Sequence, residues 1–152
     1  VVCAAALPTF FMNPREFTSD KEIADLVEGF ENATLRASDF THLAHIAVAL
    51  TYLDQMPADQ ALARMRANIR NFARRHGADR LYHETLTLFW MRLLEHLRAI
   101  YNLDFPLWRR VNLIIARWGK RFPVDAHYSR ELINSQRARE SWVPPDLLPL
   151  PF

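Results

Sequence analysis

Two histidines stand three residues apart, His42 and His45, in the stretch Phe40–Leu53, FTHLAHIAVALTYL. On a helix that spacing puts both imidazoles on one face, where they can share a single metal ion. A second block, Tyr82-His83-Glu84-Thr85, adds a third imidazole and a carboxylate. Helical proteins assemble metal sites from side chains on facing helices. The expectation is therefore a His/Glu site between two packed helices, with His42, His45 and His83 as ligands. Glu84 or Glu31 would be a fourth ligand or the general base. Tyr82 and Trp90 would line the pocket, and His127 would approach it from a loop beside Tyr128. Such a donor set with open positions suits one divalent metal: zinc, iron or manganese. The metal would bring the pKa of its bound water down to about 7 and make it a nucleophile, or would bind O₂ if iron.

The competing expectation uses the same residues without a metal. A buried polar group with no partner costs about 1–3 kcal/mol. His42 and His45 would then bond to Glu31, Tyr82 or backbone, in a non-catalytic helical binding or interaction protein. The spacing is HxxH, not the HExxH of zinc proteases, because the glutamate is missing. Helix-start electrostatics and burial both favour neutral imidazole at His42 and His83, the form that binds metal. No Gly-rich phosphate loop is present, and no Ser or Cys nucleophile stands in a recognisable setting.

These residues need helices to hold them, and the pattern supplies about five. Phe40–Leu53 has no Gly, no Pro and no charge. A helix apolar all round is central, covered by others. Ser19 or Asp20 caps a first helix to about Thr34, and Ser38, Asp39 or Thr41 caps the central one to about Gln55. Pro57 opens the third, whose inner stripe is Leu62, Met65, Ile69, Phe72 and Ala73. Arg66, Arg70 and Arg74 run along another face and read as solvated, with phosphate contact the rival. Gly77 follows its end. Asp79 caps a fourth helix to about Tyr101, with His83, Leu86, Trp90, Leu93, Leu97 and Ile100 on one face. A fifth covers about Pro106–Trp118, closed by Gly119. Beyond it Pro123, His127 and Tyr128 read as loop, and Ser129–Leu132 and Ser135–Trp142 as short helical turns. The final VPPDLLPLPF reads as an extended Pro-rich strap packed through Leu147, Leu148, Leu150 and Phe152. The fold class is all-α, an irregular bundle of about five helices with that strap.

Composition agrees with one domain. The chain has 152 residues, half of them hydrophobic, and only 3 Gly. Residues 20–152 would form the domain and 1–19 an N-terminal tail, with 1–11 upstream of a native start at Met12. A trimmed signal sequence is the rival reading of VVCAAALPTFF. The net charge is +2, but residues 1–60 hold 9 acidic and 3 basic side chains and the rest 8 acidic and 16 basic. An internal fit between the two parts is the simpler account. The aromatics fall on core stripes rather than an interleaved stacking surface, which argues against nucleic acid. The single Cys3 excludes a disulfide framework within the chain and fits the cytoplasm. No stretch is apolar enough to span a membrane. The partner expected is a small molecule, and a homo-oligomer is compatible with the sequence.

The blocks FE-x-x-TL (Phe30–Leu35), FTH-x-x-HIA (Phe40–Ala47) and YHETLT-x-x-W (Tyr82–Trp90) resemble a family of small bacterial proteins. The segment YSREL (Tyr128–Leu132) and the closing WVPPDLLPLP are similar to its tail. The resemblance runs from about Phe30 onward and leaves Val1 to about Glu28 uncovered. No activity attaches to that family, so it implies where the blocks begin and end and nothing about the chemistry.

Overall fold

The computed structural model describes residues 16–100, 104–118 and 123–152. The readings made for residues 1–11, Met12, Cys3, Tyr101 and Gly119 lie outside the described residues. The structure is all-α, with α1 Asp20–Glu31, α2 His42–Gln55, α3 Ala58–Arg75, α4 Glu84–Ile100 and α5 Leu107–Trp118. Three short helices follow, α6 Val124–His127, α7 Arg130–Ile133 and α8 Gln136–Glu140. Among the described residues no helix is long and apolar enough to cross a membrane.

The centre of the molecule is α2. Every residue from Ala44 to Leu53 is buried, and α1, α3, α4 and α5 pack around it. Thr41 starts it, accepting the Ala44 N–H on its hydroxyl. Ser19 starts α1 in the same way through Glu22 N–H. The polar chain start that both helices need is thus met by a hydroxyl at the N-cap.

Several boundaries differ from the sequence reading. The first helix stops at Glu31 rather than Thr34, because Ala33 takes a left-handed conformation, φ 53°. There the Thr34 and Leu35 N–H groups both return to the Gly29 carbonyl and close the helix. The fourth helix begins at Glu84, after a separate 3₁₀ turn at Asp79–Leu81. His83 therefore precedes α4 instead of riding on its apolar stripe, and Ile100 at the other end is exposed. Val124–His127 is a short helix, not a loop.

The arginine row is not a solvated face throughout. Arg66 and Arg70 turn onto the Glu84 carboxylate. Other ion pairs join the acidic first part of the chain to the basic second part: Arg64 to Glu31, and Arg98 and Arg110 to Asp54. Residues 16–19 are not a loose tail either. Phe17 exchanges two hydrogen bonds with the Asn112 side chain on α5, 3.1 Å and 2.8 Å.

The C-terminal segment crosses the start of α4. The fully buried Thr85 hydroxyl donates to Ser141 O (2.9 Å) and accepts the Val143 N–H (3.2 Å). The Tyr128 hydroxyl donates to Val143 O at 3.0 Å. Val143 is buried and Leu150 and Phe152 are packed against the core, whereas Leu147 and Leu148 face solvent. Of the four apolar residues expected to pack, Leu150 and Phe152 do so and Leu147 and Leu148 do not.

Candidate functional site

The predicted site residues do not share one point. The structure distributes them among several places, of which three bear most on the chemistry. Among the described residues no group of three or more His, Cys, Asp or Glu side chains is assembled to hold a metal ion.

Glu84 is one place. It is nearly buried and bonded to Arg66, with Arg70 at 3.7 Å and the Tyr82 hydroxyl donating at 2.5 Å. Arg70 also lies over the Tyr82 ring, 4.4 Å from its centroid. Burial, and then the bond to Glu84, push the Tyr82 phenol up to about 12. Glu31 repeats the pattern with different partners. It accepts from the Tyr52 hydroxyl at 2.6 Å and from Arg64 at 2.7 Å, while Asn68 donates to the same Tyr52 oxygen. Each carboxylate is thus occupied by an arginine and a tyrosine. Neither carboxylate lines the cavity of the histidine pair described below, so the structure does not bring them to that pair.

His83 is the second place. Its Nε2 donates to the Ile133 carbonyl at 2.7 Å, and its Nδ1 accepts the Leu86 N–H at 3.3 Å. The ring is the N-terminal cap of α4, doing for Leu86 what a serine usually does. Burial lowers its pKa, opposed by the bond to Ile133. With both nitrogens engaged, His83 is not available as a ligand. His127 is tied to the C-terminal segment, its Nδ1 donating to Leu148 O at 2.9 Å, and it does not reach the cavity described next.

The third place keeps the helix pair. His42 and His45 line a small cavity between α2, α3 and α4, with Met65, Thr87, Trp90 and Met91 on its other walls. It has room for about one water-sized sphere, on the order of 10 Å³. The His45 Nδ1 turns back to the Thr41 carbonyl in its own helix, 2.7 Å away. A carbonyl only accepts, so Nδ1 carries the proton and Nε2 is a bare lone pair. That Nε2 is buried and has no hydrogen-bond partner. His45 is among the residues that line the cavity. Phe40 holds the ring from one side, centroids 3.8 Å apart. His42 meets the Trp90 ring edge-on at 4.6 Å, and neither of its nitrogens has a hydrogen-bond partner among the described residues. Burial pushes His42 down to about 4 and His45 well below the usual histidine range. Both rings are neutral near pH 7.

Of the sequence candidates, then, His42, His45 and Trp90 come together, and His83, Glu84, Glu31, Tyr82 and His127 do not join them. Met65, Thr87 and Met91 were not singled out as site residues. Met65 sat in a core stripe, and Met91 beside Trp90 carried no signal of its own. A buried thioether and a core methionine are the same residue type in a sequence. What fold and site define together is an all-α bundle with a partnerless imidazole pair beside its central helix. The chain matches no protein-family model, no curated protein and no solved structure.

Proposed function

We propose that this chain is a helical metal-binding protein whose ion sits between the central and fourth helices on His42 and His45. The observation that carries the reading is the His45 Nε2. It is a neutral, buried lone pair without a partner, in a fold that satisfies the polar groups of its other buried histidine. Buried polar atoms are normally paired, and an exception calls for a ligand, a water or a functional reason. Two neutral imidazoles three residues apart in a cavity lined by apolar walls form an acceptor for a cation. The reading is one of binding: Glu84 and Glu31 are engaged elsewhere, so no general base accompanies the pair. The resemblance to the small bacterial family and a cytoplasmic location belong to the same proposal.

The second reading is the non-catalytic interaction protein with a buried polar network. The two tyrosine–carboxylate–arginine clusters favour it, since both cross-link helices. Nucleic-acid binding loses support because Arg66 and Arg70 are spent on Glu84. Metal analysis of protein purified without a histidine tag separates the first two readings. Stoichiometric uptake, with a rise in thermal stability that His45→Phe abolishes and His96→Ala keeps, supports the metal site. Absence of uptake for every ion tried leaves the interaction protein.

A further inference from the structure

The walls of the His42–His45 cavity select among ions. No carboxylate and no thiolate lines it, and two of its lining residues, Met65 and Met91, carry thioethers. Met65 and Met91 are both buried. The cost of burying an ion in an apolar medium rises with the square of its charge, and a charge taken from water needs compensation. A divalent ion seated here would meet only neutral donors. A monovalent ion has a quarter of that desolvation cost to offset. Thioether sulfur is a soft donor, which binds soft cations such as Cu(I) and has little affinity for hard ones. Imidazole is compatible with copper as well. The cavity is also about the size of one atom or water, too small for an organic ligand.

Resting on the metal-binding reading above, we infer that the occupant is a single soft monovalent cation with the chemistry of Cu(I). The imidazoles of His42 and His45 and the thioethers of Met65 and Met91 are its donors. Neutral histidine needs no proton release to bind it, and the ion brings the only formal charge into the cavity. Thr87 is a poor competitor for such an ion, since its hydroxyl oxygen is a hard donor; its O–H donates to the His83 carbonyl at 2.9 Å.

The test uses the full chain under anaerobic, reducing conditions, with Cu(I) supplied as a coloured chelate and Zn(II) in a parallel titration. Ag(I) serves as the redox-inert probe, read by the shifts of the Met methyl signals in NMR. The site should withdraw one Cu(I) per chain from the chelator, and Ag(I) should move the methyl signals of Met65 and Met91. The double variant Met65→Leu, Met91→Leu nearly conserves core volume and should fold. It should bind Cu(I) at least about tenfold more weakly, the lower end of what losing a supporting group costs a metal site. Zn(II) should bind wild type and double variant alike, and weakly. Cu(I) affinity unchanged in the double variant, or Zn(II) bound more tightly than Cu(I), overturns the inference but leaves the histidine-pair reading standing. No cation of either kind bound to wild type overturns both.

Discussion

Replacing His45 by Phe should make the metal-free protein more stable, and replacing His83 by Phe should do the opposite. The His45 Nε2 is buried without a partner, a burden of about 1–3 kcal/mol. Removing the ring also removes the Nδ1–H bond to Thr41 O, whose net worth is about 0.5–1.5 kcal/mol. That carbonyl stays satisfied, because it also accepts the His45 backbone N–H at 3.0 Å. A phenyl ring keeps the stacking on Phe40, and its extra atoms enter the cavity. The balance is a gain of about 1 kcal/mol, or about 2–4 °C in Tm for a chain of this size. His83→Phe strips the partner from the Leu86 N–H and from the Ile133 carbonyl. Two polar groups left buried cost about 2–4 kcal/mol. Urea unfolding in chelator at about pH 7.5, where ordinary histidine is neutral, measures both. His45→Leu is the control for overpacking: it loses the stacking on Phe40 and should fall near wild type. If His45→Phe and His45→Leu both lose as much as His83→Phe, Nε2 has a partner and the reasoning fails.

Thr85→Val removes the hydroxyl that fastens Ser141 and Val143 while keeping shape. The expected loss is about 2–3 kcal/mol, with faster hydrogen exchange confined to residues 141–152; unchanged exchange there refutes the fastening role. Glu84→Gln keeps shape and one acceptor oxygen but withdraws the charge facing Arg66 and Tyr82. It should cost about 1–2 kcal/mol, and ultraviolet titration should find the Tyr82 phenol ionising below the value of about 12 it has now. Ala33→Gly should stabilise by about 0.5–1 kcal/mol, because a left-handed residue past a helix end carries a side-chain penalty that glycine lacks; a loss in chemical denaturation contradicts this. The pH response follows from burial of His83, with His42 and His45 shifted the same way. Their folded pKa values lie below the unfolded value of about 6.5, so the unfolded chain takes up protons first. Stability present above about pH 6.5 should therefore fall as pH drops toward the folded values. Urea midpoints that stay constant from about pH 7.5 to 5 would contradict it.

The architecture was legible because its signals are local. Small polar residues bracketed the helix starts, Ser19 or Asp20 for the first and Ser38, Asp39 or Thr41 for the second, and the structure uses Ser19 and Thr41; the unbroken apolar run identified the central helix. Gly77 past the end of α3 likewise announced a left-handed residue, φ 64°. Ala33 does the same job at the end of α1 without the glycine that would have given it away. The site was only half legible. Helical spacing alone binds His42 to His45, and that pairing needs no knowledge of the fold. Whether His83 joins them depends on how the chain enters α4, and the ring was drawn off by the Ile133 carbonyl, fifty residues away. The arginine row failed for the same reason. Arg66 and Arg70 look solvated at four-residue spacing until α4 sets Glu84 beside them.

The seam between Thr85 and the segment Ser141–Val143 has a kinetic corollary. It joins residues 56 and 58 positions apart, and loops of that length are closed only at an entropic cost that local contacts do not bear. Helix α2 meets α3, and α3 meets α4, over shorter spans, and these pairs can form before it. In refolding followed by pulse labelling, the Val143 amide should thus be among the last to become shielded from solvent.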